Sequence, residues 1–203
     1  RAVAAQLRAF GLQRELGAPE SAELLLDDFL AAAPGSTRDI VPGLASRLVE
    51  QGHGEPAIAL VNRALALLPD DDLRLARGFL MERLDQLPEA VADMRTVLGR
   101  RPDAPVAQNA LGYTLVDRSI AVEEGHRLID RALATKPDSY AIQDSMGWAL
   151  VRLGRLEEGR TWLESAWDRS QDPEVAAHLG ETIWLQGHPE EAYRVWDAAL
   201  ADS

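Results

Sequence analysis

A chain of 203 residues, 46% of them hydrophobic and 27% charged, is long enough to bury a sizeable core. Its net charge of −12, with 21 basic residues scattered among 33 acids, argues against nucleic acid as a partner, because neutralising a phosphate backbone needs clustered cations. The absence of cysteine excludes disulfides, thiol nucleophiles and zinc–thiolate sites, and leaves the redox compartment open.

No run approaches the roughly 20 apolar residues of a membrane span. The start carries no signal-peptide pattern, and Arg1 in place of an initiator Met is consistent with an upstream targeting segment having been removed. Along the chain, prolines recur at Pro34, Pro69, Pro102 and Pro137, with gaps of 35, 33 and 35 residues, each after an Ala/Leu-rich run. Glycines inside apolar runs recur at Gly78, Gly112, Gly147 and Gly180, with gaps of 34, 35 and 33. Two separate series with one period indicate a repeat array.

Each period divides into two amphipathic helices of about a dozen residues, with turns marked by Gly17, Gly52, Gly154 and Gly187. No segment alternates as a strand would. After the turn a small residue recurs at Ala22, Ala57, Ala90, Gly125, Gly159 and Ala192, a pattern that lets two helices pack closely. The same logic explains glycine at Gly147: close approach outweighs its roughly 1 kcal/mol helix-propensity penalty.

This pattern resembles the tetratricopeptide repeat, with Leu111-Gly112, Met146-Gly147 and Leu179-Gly180 as first-helix marks, small residues in the second helix and a closing proline. The resemblance implies an all-α, right-handed superhelix of about six repeats: 1–34, 35–69, 70–102, 103–137, 138–171 and 172–203. The first lacks the glycine near Phe10, the third has Arg77 where a leucine is expected, and the fifth lacks a proline near Gln171. The sixth ends without a further helix, so a fragment, or an end covered by a second copy, is expected.

Three longer phrases, Asn109 to Leu115, Asp144 to Trp148 and Asp172 to Gly180, resemble the C-terminal half of proteobacterial outer-membrane repeat lipoproteins. Some of these bind a periplasmic C-terminal processing protease and bring it substrates. That resemblance implies a periplasmic adaptor, tethered by a lipid anchor outside these residues. A regulatory arm of a larger enzyme, such as a glycosyltransferase, and a cytoplasmic complex-assembly protein are the alternatives, separable by the full reading frame.

No catalytic residue, metal site or cofactor is expected. His53, His126, His178 and His188 lie in different repeats, and His178 with Glu181 reads as helix surface or packing. The pairs Glu123-Glu124, Glu157-Glu158 and Glu190-Glu191 fall just inside second helices, where the helix dipole favours negative charge; Asp27-Asp28 is a fourth pair. No glycine-rich phosphate loop follows a strand.

By the family's geometry, first-helix positions 2, 5, 9, 12 and 13, with the glycine at 8, line the concave face. The binding groove is therefore expected to contain Phe79, Arg83, Asn109, Tyr113, Val116, Asp144, Trp148, Arg152, Glu181 and Trp184. Trp148 is expected to face the groove as an anchor for a protein or extended peptide, since Trp, Tyr and Arg are enriched at hot spots. Asn109 would serve the ligand backbone, and Asp144 or Arg152 its charges. Trp162, Trp167 and Trp196, on second helices, are expected to pack between repeats. If the last repeat is bare, Trp184, Trp196 and Leu200 would form an apolar end suited to a homodimer.

Overall fold

The structure, a computed structural model, describes residues 34–201. Among the described residues there are ten helices and no strand: α1 (Pro34–Glu50), α2 (Gly54–Leu67), α3 (Asp71–Arg83), α4 (Leu87–Arg100), α5 (Pro105–Asp117), α6 (Val122–Thr135), α7 (Tyr140–Arg152), α8 (Leu156–Arg169), α9 (Pro173–Leu185) and α10 (Pro189–Ala201). They form five helix–turn–helix pairs, the all-α class expected from the repeat spacing. The repeat expected over 1–34, with Gly17, Ala22 and Asp27-Asp28, lies outside the described residues.

The turns recur with one geometry. Gly52, Gly154 and Gly187 have φ of 80°, 80° and 87°, left-handed values that favour glycine. At the corresponding places of the next pairs stand Asp85 and Ser119, with φ of 59° and 52°. These two turns were not marked in the sequence because neither residue is glycine. Pro69, Pro102 and Pro137 lie between pairs, whereas Pro34 begins α1, and two of the carbonyls are used: Gln108 Nε2 donates to Pro102 O at 2.7 Å, and Gln143 Nε2 donates to Pro137 O at 2.8 Å. Helix starts are capped by Asp70, which accepts from the backbone N–H groups of Asp72 and Leu73, and by Asp172, which accepts from that of Glu174.

The chain divides into two compact units, residues 1–93 and 94–203, the division falling inside α4. In the first, α1, α2 and α3 bury Val41, Ala45, Leu60, Val61, Leu73 and Leu80. Arg77, where a leucine was expected, makes a polar junction instead. Its Nε and Nη2 donate to the two Asp93 oxygens at 2.6 and 2.8 Å, and its Nη1 donates to Asn62 Oδ1 at 2.5 Å. Arg74 Nη1 adds a bond to Asp93 Oδ1 at 3.2 Å, so a carboxylate buried to 5% exposure is held by two guanidinium groups.

In the second unit each first helix packs on its own second helix, each second helix on the next first helix, and α7 on both α5 and α9. In α5–α6 and α7–α8 the paired helices touch backbone to backbone. A Cβ built on Gly147 would lie 2.6 Å from Leu163 Cγ and 2.9 Å from the Gly159 carbonyl; one built on Gly112 would lie 2.7 Å from Ile129 Cγ1 and 2.9 Å from the Gly125 carbonyl. At Gly180 the neighbour is the indole of Trp196. The recurring glycines therefore make room for Ile129, Leu163 and Trp196, one residue per pair. The small residues Ala57, Ala90, Gly125, Gly159 and Ala192 are all buried.

Ile129, Met146, Ala149, Leu163, Leu179 and Ile183 form the core of this unit, with Trp162, Trp167 and Trp196 half-buried against it. The three paired glutamates occupy the first turns of α6, α8 and α10. One of each pair also meets an arginine: Glu124 with Arg95 at 2.8 Å, Glu158 with Arg155 at 2.6 Å, and Glu191 with Arg160.

Candidate functional site

The first helices α5, α7 and α9 lie side by side, so side chains at equivalent positions in three consecutive repeats are brought together. Phe79 and Arg83, both exposed on α3, belong to the first unit. The other eight expected groove residues sit on α5, α7 and α9. Tyr113 is half-buried, Arg152 and Glu181 are exposed, and Trp184 is 46% exposed. Asn109 is half-buried, with an Oδ1 that has no hydrogen-bond partner.

Three residues differ from the expected exposure. Val116 is fully buried against the core. Trp148, expected as an open anchor, is only 4% exposed. Its indole stacks on the His178 imidazole, with centroids 4.5 Å apart and planes 17° from parallel, and its Nε1 donates to Asp117 Oδ1 at 3.2 Å. The guanidinium of Arg152 lies over the same ring, 5.5 Å from its centroid, within cation–π range. Asp144, expected to meet ligand charge, is 5% exposed and occupied internally: His178 Nδ1 lies 3.0 and 3.1 Å from its two oxygens.

The residue that rearranges this face is His178, which the sequence placed as surface or packing. It stands 34 residues after Asp144, one repeat period, and that spacing was the available signal. Glu174 and Asp117 complete the cluster. Tyr113 OH donates to Glu174 Oε1 at 2.6 Å, and the same hydroxyl lies 3.4 Å from His178 Nε2.

Burial is the largest single influence on His178 and disfavours its cation. The hydrogen bond and charge of Asp144, with the charges of Glu174 and Asp117, outweigh it and hold the imidazole pKa above its ordinary value. Tyr113 is pushed well above the usual phenol range, first by burial and then by its bond to Glu174, so it remains a donor. The imidazole, set among carboxylates and stacked on an indole, has ring partners on two neighbouring first helices. Among the described residues no group of three or more His, Asp or Glu side chains is placed to hold a metal ion.

At the end of this unit Trp184, Tyr193 and Trp196 form an aromatic trio. Trp184 and Tyr193 meet edge to face at 5.8 Å, and Tyr193 meets Trp196 in the same way at 5.7 Å. Tyr193 is 55% exposed and Leu200 73%. Thirty-four and 33 residues separate Leu133, Trp167 and Leu200 in register; the first two are half-buried against the core.

The family model described as tetratricopeptide repeat matches residues 143–165 and 173–198, which are α7–α8 and α9–α10. A TPR repeat-containing protein of Pseudomonas aeruginosa is 36% identical over 178 residues, 87% of this chain and 30% of that protein. The chain thus spans less than a third of that relative's length. A thermophilic TPR protein of Thermus thermophilus superposes with a TM-score of 0.72 at 20% identity, covering 81% of this chain and 90% of that one. A tetratricopeptide repeat protein of Parabacteroides merdae gives 0.71 at 15% identity, covering 98% of this chain and 79% of that one. With its period and its glycine-on-second-helix contacts, the chain has the fold of tetratricopeptide-repeat proteins, and α7–α8 and α9–α10 match the tetratricopeptide-repeat model.

Proposed function

We propose that this chain is a non-catalytic scaffold that holds a protein or extended peptide across the first-helix face of α5, α7 and α9. The observation that carries this reading is the row of accessible groups on neighbouring first helices: Tyr113, Arg152, Glu181 and the half-exposed Trp184. Arg152 is the central contact, because its guanidinium is already ordered over Trp148 and against Ser119, which lowers the entropy lost when a ligand carboxylate or carbonyl engages it. Trp184 supplies rigid apolar area at one end.

The test is peptide display against the full chain, followed by affinity measurement with Arg152→Ala, Glu181→Ala and Trp184→Ala. These side chains are accessible, so helicity should persist while affinity drops about tenfold or more for Arg152→Ala or Trp184→Ala, equivalent to about 1.4 kcal/mol. Selected peptides that bind all three variants as tightly as the parent would place the binding surface elsewhere.

The finer reading is an envelope adaptor: periplasmic, tethered by a lipid anchor outside these residues, and bringing substrates to a C-terminal processing protease. It is supported by the lipoprotein-like phrases around Gly112, Gly147 and Gly180. Its mechanism is co-localisation, which raises the effective concentration of substrate at the protease without new chemistry. Co-purification from the native envelope checks it; a stable complex set with no such protease removes the adaptor role and leaves the scaffold. Self-association through Trp184, Tyr193 and Leu200 belongs to the same reading, and a molar mass that stays monomeric at high concentration would remove it.

A further inference from the structure

His178 connects the first helices of three consecutive repeats. It projects from α9, stacks on Trp148 of α7, points Nδ1 between the Asp144 oxygens of the same helix, and brings Nε2 to 3.4 Å from Tyr113 OH on α5. The Tyr113 proton is committed to Glu174 at 2.6 Å, so the phenol oxygen has lone pairs available to accept. An imidazolium satisfies both sides, donating from Nδ1 to Asp144 and from Nε2 to Tyr113. A neutral ring keeps only the first of these bonds: its Nε2 becomes an acceptor facing a hydroxyl whose single proton is already given away.

The charged and titratable groups around the ring come from each helix packed on it. They are Tyr113 and Asp117 from α5, Asp144 from α7, and Glu174 from α9. Arg152 of α7 reaches the cluster only through the Trp148 ring. When the imidazole loses its proton, three carboxylates share this space without their central cation, and repulsion replaces attraction between α9 and its neighbours.

We propose that the first-helix face is proton-linked: protonated His178 clasps α9 to α7 and α5, and deprotonation releases Tyr113, loosens α9 and weakens the grip on a bound partner. This rests on the reading of that face as the binding surface, but the clasp itself is a property of the free chain. The raised imidazole pKa puts the release above the ordinary histidine value of about 6.5. A group whose folded pKa is raised contributes stability that is complete below its unfolded pKa and is lost as pH rises through the folded one.

The experiment is an NMR titration of the full chain, free of partner, with isotope-labelled histidine, alongside thermal midpoints over the same pH range. The His178 ring, identified by its absence from His178→Gln, is expected to titrate above the ordinary histidine value of about 6.5. The wild-type midpoint should fall across that step, and the His178→Gln midpoint should not. Tyr113→Phe, which removes the acceptor facing Nε2, should lower the pH of the His178 step. Titration of His178 at or below the ordinary histidine value, or a constant gap between wild-type and His178→Gln midpoints, overturns the proposal. If His178→Gln does not fold, Tyr113→Phe provides the comparison: an unshifted step overturns the clasp. Because no partner is present, a failed clasp leaves the scaffold reading untouched, and a failure to find any ligand for the face leaves the clasp.

Discussion

Trp148 and His178 lie ring against ring, 4.5 Å between centroids, which joins the first helix of one repeat to the first helix of the next. The indole is therefore a packing element shared between repeats. Trp148→Ala is expected to destabilise the protein by about 3–5 kcal/mol, the usual range for truncating a buried aromatic. Chemical denaturation followed by circular dichroism measures it; a loss below about 1 kcal/mol would return Trp148 to the role of a surface anchor.

Asp144 and His178 are buried side by side and form an ion pair when the imidazole is protonated, so that removing one partner then leaves the other charge uncompensated. Asp144→Ala should destabilise by about 3 kcal/mol or more below the raised His178 pKa. Above that pKa the imidazole is neutral in the folded protein, so the penalty of the same substitution should shrink. Unfolding curves for parent and variant at two pH values, one on each side of the step, provide the check; a penalty that grows with pH contradicts the assignment.

The glycines separate by what a methyl group would meet. Gly147→Ala drives a Cβ against Leu163 and the Gly159 carbonyl and should cost about 1–3 kcal/mol. Gly43, inside α1, has open space around it, so Gly43→Ala should gain about 0.5–1 kcal/mol through helix propensity. Opposite signs in a pair of thermal melts confirm that close helix approach, and not glycine flexibility, is the requirement at Gly147.

In the first unit, Arg77→Leu restores the residue expected at that repeat position but strips Asp93 of two hydrogen bonds. It should destabilise by about 3 kcal/mol, with Arg74 retaining part of the charge balance. Adding Asp93→Leu to Arg77→Leu should recover most of the loss, because a packed apolar pair can replace a buried ionic one. A double-mutant cycle measures the coupling.

The repeat architecture was legible because it depends on short-range demands that recur every 33 to 35 residues. Gly112, Gly147 and Gly180 are fixed by contact with their own second helices, so spacing alone identified them. The direction of Trp148 was not legible, since a first-helix side chain at that position is covered or left open by whatever the following repeat places beside it. Here that residue is His178, and its effect appears only once the two helices are adjacent. The turns at Asp85 and Ser119 were missed for a different reason: a left-handed backbone was identified through glycine, and these positions adopt it without glycine.

The backbone contact between Gly147 and Gly159 has a consequence for how this protein deforms. A joint where backbone meets backbone and only Leu163 and Val151 close in on the two glycines leaves little to rotate, so the α7–α8 hairpin behaves as a stiff plank. The joints between planks are filled by side chains such as His178, Trp148 and Tyr113, which can change charge or rotamer. Stiffness within repeats and compliance between them are thus set by different residues, and an inter-repeat angle can be retuned by changing one ring while every hairpin stays the same.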